Sequence, residues 1–180
     1  MKIKTIVAIG IGSALFLILS RFASIPTGVP NTEIQTAYAL LALMAILYGP
    51  LAGGCIGFIG HILKDLTAYG SLWFSWIIAS AVFGLIVGLV SKKINIKNQL
   101  FSKQNILIFN LTQIVANLVA WGVVAPILDI IIYQEAANKV FLQGLVAGST
   151  NILTVGVIGT ALLYTYSNTR TKHQNLEKEN

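Results

Sequence analysis

The chain has 180 residues, of which 56% are hydrophobic and only 10% charged, enough for one domain and outside the composition of soluble globular proteins. The formal net charge of +6 does not mark a nucleic-acid patch, because the twelve Lys and Arg fall in short clusters beside long charge-free runs. One cysteine, Cys55, excludes an internal disulfide and sits among Gly53, Gly54 and Gly57, where it reads as packing.

The runs predict an all-α integral membrane protein, a single transmembrane domain over residues 1–168 with spans at about 5–22, 36–49, 51–68, 73–91, 105–128 and 140–166. One crossing needs roughly 20 residues. Lys2 and Lys4 precede the first run as in a secretory signal, but no clean cleavage site follows and Arg21 stands where it would lie, so this run reads as a retained helix. It carries two pairs of small residues, Ala8 with Gly12 and Gly10 with Ala14, each about 40° apart on roughly opposite faces. Such faces let another helix approach closely, either within this protein or from a partner.

The loop from Ser24 to Gln35 has two prolines, a glycine and several hydrogen-bonding side chains, Asn31 and Gln35 among them, and is suited to folding over a site. Gly49-Pro50 predicts a tight turn that makes spans two and three a hairpin, the second span being short. Span three carries a stripe of Gly53, Gly57 and Gly60 that leads to Lys64, with His61 and Asp65 beside it. His61 and Asp65 stand at i, i+4 without a third ligand, so the expectation is a local polar network forming one wall of an outward-facing pocket, with no metal.

Trp73 and Trp76 open span four at the depth where aromatic residues anchor to headgroups; the alternative is a stacking surface for a flat ligand, joined by Trp121. On span five Asn110, Gln113, Asn117 and Trp121 share one helical face within about 80°, and on span six Gln143, Thr150, Asn151 and Thr154 share another within roughly 100°. Amides are costly in hydrocarbon, so these faces point at each other, at a ligand or at water. Simple interhelical bonding and ligand contact are both open for each residue.

Nine of the twelve basic residues share one side of a six-span arrangement, which places both termini in the cytoplasm. The other side receives Arg21, Lys64 and Lys139 with Glu33, Asp65, Asp129 and Glu135. Residues 169–180 read as a polar, solvated cytoplasmic tail without fixed structure. No phosphate-binding loop, HExxH motif or nucleophile with an oriented base is present, so neither an enzyme nor a cofactor is expected. Any ATP energy then comes from another chain. The charges lie near span ends, which also argues against a self-sufficient proton- or sodium-coupled carrier.

Three segments, PNTEIQTAYALLAL, YGPLAGGCIGFIGHILKDLTAYGSLWFSW and VAPILDIIIYQEAANKVFLQGLVAGSTN, carry a resemblance over nearly the full length. The chain resembles the substrate-binding S components of the energy-coupling factor (ECF) vitamin transporters, in a branch called riboflavin-type by similarity. The resemblance implies a six-helix protein of the cell membrane that captures a small vitamin-like molecule from outside and works with a transmembrane coupling subunit and two ATPase subunits. It implies a pocket near the outer surface covered by the 24–35 loop, with Asn31, Gln35, Lys64, Trp76, Asn117, Trp121, Gln143 and Asn151 as binding residues. It also implies that small residues of span one meet the coupling subunit. The family's Ala-x-x-x-Ala pattern is replaced here by Ala8-x-x-x-Gly12 and Gly10-x-x-x-Ala14, and the Ala8 and Gly12 face is favoured because Thr5 extends it. A small aromatic vitamin or precursor is expected, a flavin slightly ahead of pyridoxine, thiamine or a pyrimidine. The rival readings are a membrane scaffold without a ligand, and an intramembrane enzyme using His61, Lys64 and Asp65.

Overall fold

A computed structural model describes residues 2–179, with side chains described over 2–170. Six helices are present among the described residues: α1 (Ile3–Phe22), α2 (Ala37–Tyr48), α3 (Pro50–Tyr69), α4 (Phe74–Ile94), α5 (Lys103–Tyr133) and α6 (Ala137–Arg170). The helical backbone of α6 continues to Glu179. The polar tail expected over 169–180 falls, beyond Arg170, on side chains outside the described residues. Between α1 and α2 the chain makes a two-stranded antiparallel hairpin, β1 (Ser24–Pro26) and β2 (Glu33–Gln35), with Ile25 opposite Ile34.

Four helices, α1, α4, α5 and α6, are long and apolar enough to cross a membrane. Large apolar side chains point outward from them, including Ile3, Val7 and Ile18 on α1, Leu107, Leu111 and Leu118 on α5, and Leu145, Leu153 and Val157 on α6. Hydrocarbon solvates such a surface, and the protein is therefore a multi-pass membrane protein. The other two helices differ. α2 has 12 residues, and its rise of about 18 Å falls short of the roughly 30 Å hydrocarbon core. It is instead sheathed by its neighbours, with Ala37, Ala39, Leu41, Ala42 and Ala45 all at 0% exposure. α3 is long enough but carries Lys64 and Asp65 in its last turns.

The turn expected at Gly49-Pro50 forms as written. Gly49 takes φ +91, a value that side chains resist, and Pro50 occupies the first turn of α3, where its missing N–H costs nothing. The glycine stripe of α3 then seats two neighbours. A Cβ on Gly53 would collide with the Gly84 carbonyl of α4, one on Gly57 with the Ser80 carbonyl, and one on Gly60 would come within 2.8 Å of the Phe16 ring of α1. Close backbone approach of this kind is how helices associate when lipid removes the hydrophobic drive between them.

The packing of α1 corrects one expectation. Ala8 is 5% exposed, and a Cβ on Gly12 would lie 2.7 Å from Ile56 Cδ1 and 3.2 Å from Met44 Cε, so this face is taken by the protein's own α2 and α3. Gly10 and Ala14 are exposed, with nothing within 4 Å of a Cβ built on Gly10. The preference for Ala8 and Gly12 as the outward face is therefore reversed.

Basic residues gather at one end of the bundle. Arg170 donates to the carbonyls of Lys97 and Gln99, the latter at 3.3 Å, and the Lys97 ammonium lies 4.3 Å from the centre of the Tyr48 ring. Burial first, and then the charge of Lys4, push the Lys97 ammonium below the usual lysine range. The polar cavities open at the other end.

Candidate functional site

The last turns of α3 and α5 and the first turns of α4 and α6 surround a cavity of about 240 Å³, lined by His61, Lys64, Trp73, Trp76, Asp129 and Gln143 among others. An inner cavity of about 30 Å³ lies against Phe16, Tyr38, Trp121 and Asn151 beneath the hairpin. The two share Asn31, His61, Lys64 and Trp76 as lining residues.

Aromatic rings build the walls. Trp76 and Trp121 sit 5.2 Å apart between ring centres, and Tyr38 meets Trp121 edge-on at 5.3 Å and Phe16 at 5.4 Å. Trp121 occupies a π-helical turn, Ala120–Val124, which interrupts α5, and a second such turn, Val155–Gly159, follows Asn151 on α6. Insertions of this kind re-aim side chains and concentrate at functional positions. Trp73 stacks on Tyr133 at 4.1 Å and 19°, at the mouth of the cavity. Both tryptophans that open α4 are thus part of the site wall as well as near the helix end.

Asp129 organises that wall. Its carboxylate accepts from Trp73 Nε1 at 2.6 Å, from Trp76 Nε1 at 2.9 Å and from the Ser75 hydroxyl. The sequence places Asp129 just past span five, which is expected to end at 128. The helix in fact runs to Tyr133 and buries Asp129 to 2% exposure. Asp65, also 2% exposed, accepts from the Trp73 backbone N–H at 3.1 Å and faces His61 Nε2 at 3.4 Å and Lys64 Nζ at 3.8 Å. Both carboxylates stand near helix ends and are nonetheless buried. Both become buried because the turn before α4 folds back over the ends of α3 and α5. The only sequence signal for Asp129 was an acid following an apolar run opposite two tryptophans and a serine, which becomes a site only once α4 and α5 are adjacent.

The hairpin closes the top. Gln143 Nε2 donates to the Pro30 carbonyl at 2.8 Å, Thr154 Oγ1 to the Gln35 carbonyl at 3.4 Å and Thr36 Oγ1 to the Ala23 carbonyl at 2.9 Å. These bonds tie the loop to α6 and to the end of α1.

Of the residues expected at the pocket, Asn31, Lys64 and Trp76 line both cavities, Gln143 the larger one, and Gln35, Trp121 and Asn151 the inner one. Asn117 does not. It is fully buried, its Nδ2 donates to the Gln113 carbonyl at 2.9 Å and Oε1 at 3.0 Å, and its Oδ1 accepts from Trp121 Nε1 at 3.1 Å. Its amide holds Trp121 in place, and it is corrected to a supporting position behind the wall. Asn110 and Gln113 likewise serve helix pairing, through Thr160 Oγ1 at 3.0 Å and the Ile152 carbonyl at 3.3 Å.

A buried relay runs behind the aromatic wall. Ser80 Oγ lies 2.6 Å from His61 Nδ1 and 2.7 Å from Tyr38 OH, and His61 Nε2 faces Asp65. Serine, histidine and aspartate are thus brought together, although no such set was read from the sequence. Ser80 is fully buried, lines neither cavity, and also lies 2.9 Å from the Trp76 carbonyl, which its hydroxyl can donate to. A nucleophile needs access to its substrate, so the arrangement orients the Tyr38 and His61 rings rather than attacking a bond. Among the described residues no group of three or more His, Cys, Asp or Glu is placed to hold a metal.

The helices thus enclose an aromatic-walled cavity beneath a hairpin. A family model described as "ECF-type riboflavin transporter, S component" matches residues 1–168. The chain belongs to this family. It is a membrane-embedded S component, a transporter subunit that binds substrate. A UPF0397 protein of Clostridium perfringens (strain SM101 / Type A) is 59% identical over 179 residues, 99% of this chain and 97% of its own. UPF0397 proteins of Exiguobacterium sp. (strain ATCC BAA-1283 / AT1b) and Enterococcus faecalis (strain ATCC 700802 / V583) are 57% identical over 176 residues and 53% over 179. These cover 98% and 99% of this chain and 96% and 98% of the relatives.

Proposed function

We propose that this S component captures a small aromatic, water-soluble vitamin or vitamin precursor at the outer face of the cell membrane. It delivers the molecule for uptake driven by a transmembrane coupling subunit and two ATPase subunits. The observation that carries this reading is the aromatic cavity beneath the hairpin, with Trp76 and Trp121 in its walls and amides at its edge. Burying roughly 100 Å² of a flat ring between such walls stabilises binding by about 2.5 kcal/mol. Asn31, Gln35, Gln143 and Asn151 supply hydrogen bonds and Lys64 a positive charge.

The family description favours a flavin. The cavity of about 240 Å³ is smaller than the roughly 300–1,000 Å³ usual for drug-sized ligands. A one-ring compound enters it as it stands, and a three-ring flavin requires the hairpin to lift from Gln143 and Thr154. In this reading the six helices sit in the membrane as one bundle, with α2 reaching only part of its depth in the shelter of its neighbours; the basic end and both termini are cytoplasmic, and the exposed Gly10 and Ala14 face of α1 meets the coupling subunit.

The test is to purify the protein in mild detergent, denature it, and identify the released compound by absorbance and mass spectrometry. A stoichiometric heteroaromatic compound is the expected result. Release of nothing, together with no binding of any vitamin tested, supports instead a scaffold without a ligand. The internal bonding of Asn110, Gln113 and Asn117 favours that second reading.

A further inference from the structure

Two side-chain acceptors belonging to residues on the wall of the inner cavity lack partners. Several donors on its wall are already committed: Ser20 Oγ donates to the Phe16 carbonyl at 2.7 Å, Trp121 Nε1 to Asn117, Trp76 Nε1 to Asp129, and Tyr38 OH is engaged with Ser80. Lys64 turns its ammonium to the Tyr69 hydroxyl at 3.3 Å and to Asp65. Two amide oxygens are not committed. Asn151 is 2% exposed, and its Oδ1 is buried without a partner. Gln35 Oε1 is also buried and unpartnered. The orientation of that amide follows from chemistry, because Gln35 Nε2 donates to Glu33 Oε2 at 2.6 Å and a flipped amide would set a carbonyl against a carboxylate. Glu33 lines the same cavity and, among the described residues, has no Lys, Arg or His within salt-bridge distance.

Buried acceptors are ordinarily paired, and a site built to hydrogen-bond a group rejects an analogue that lacks it. We infer that the inner cavity, through Gln35 Oε1, Asn151 Oδ1 and the Glu33 carboxylate, selects a heteroaromatic ligand that presents an N–H donor edge, either a ring N–H or an exocyclic amine. The donor group enters the inner cavity, whose volume of about 30 Å³ holds one small polar group, while the ring stays against Trp76 in the larger one. A ligand offering only carbonyls or methyl groups on that edge leaves both amide oxygens unpaired and meets a negative charge. This inference rests on the vitamin-binding reading and adds the polarity of the recognised edge.

The experiment is a fluorescence and calorimetric titration of the purified full chain with two matched pairs of probes. One pair is riboflavin and its N3-methyl derivative, which lacks the imide N–H. The other is 4-aminopyrimidine and 4-methylpyrimidine, which differ by amine against methyl at similar size. In any pair that binds, the donor-bearing member should bind at least ten-fold more tightly, and Asn151→Leu should reduce the difference to about three-fold or less. Gln35→Leu, on the more exposed hairpin, gives the same readout where Asn151→Leu fails to fold. Binding of both members with equal affinity, or tighter binding of the methyl compound, overturns the donor-edge inference and leaves the vitamin site standing. Binding of none of the four probes, together with release of no heteroaromatic compound on denaturation, overturns both.

Discussion

Replacing Asp129 tests whether one buried carboxylate holds the aromatic wall. Its three donors differ in what they lose. Trp73 is 38% exposed and can turn to water, whereas Ser75 is fully buried and has no such recourse. Hydrogen bonds to a charged group contribute about 1.5–3 kcal/mol each, roughly twice a neutral bond, and an orphaned buried donor costs about 1–3 kcal/mol. Asp129→Asn keeps the shape and one acceptor oxygen but turns an NH2 toward donors, so at least one of the three bonds is lost outright and those that remain lose their charge assistance. The expected cost is about 2–4 kcal/mol. For a chain of this size that corresponds to a fall of roughly 5–15 °C in melting temperature. Asp129→Ala should cost more, since Ser75 and Trp76 both lose their acceptor. Thermal unfolding in mild detergent, followed by tryptophan emission, measures both variants, and a released Trp76 should red-shift the emission. An Asp129→Asn protein that melts within 2 °C (about 1 kcal/mol) of the parent with unchanged emission would refute the argument that this carboxylate organises the wall.

Three further outcomes follow from the packing. With Cys55 replaced by Ser, a Lys97→Cys variant in intact cells should resist an impermeant thiol reagent applied from outside, while Asn138→Cys should react; the reverse pattern inverts the topology. Gly10→Leu combined with Ala14→Leu should leave folding and ligand binding intact and abolish both uptake and co-purification with a coupling subunit, whereas Gly12→Leu, which strikes Ile56, should lower the melting temperature; normal transport by the double variant removes this face from the interface. Gly84→Val forces a side chain onto the Gly53 backbone and should destabilise by at least about 1–3 kcal/mol, while Gly122→Ala, with open space around it, should be neutral or stabilising by up to about 1 kcal/mol; equal melting temperatures for the two would contradict the close α3 and α4 contact.

Much of the site was legible because it depends on residue type near the ends of apolar runs. The 24–35 loop, Lys64, Trp76, Trp121, Gln143 and Asn151 were each marked by polarity or aromaticity out of keeping with hydrocarbon, and each lines a cavity. Asn117 and Asn151 show where that logic stops. Both are amides on polar faces of consecutive spans, with equal claims to a ligand by periodicity. Asn117 is saturated by Gln113 and Trp121 on its own helix, while the oxygen of Asn151 is left without a partner. Periodicity reports direction around a helix and carries no information about which hydrogen bonds are already made.

The sequence by itself determined the solvent, since charge-free runs of membrane length admit no other, and it determined the Gly49-Pro50 turn and the small residues that let helices approach. These properties are local, set by composition, by the dihedral limits of glycine and proline, and by the 100° step of a helix. Tertiary structure alone decided that Gly12 packs inward while Gly10 stays open, that a 12-residue α2 is sheltered at the centre of the bundle, and that Asp129 gathers Trp73, Ser75 and Trp76. The partners of Gly12 and Asp129 lie more than 30 residues away along the chain, and α2 is sheltered by several helices at once, so each outcome exists only when the helices pack.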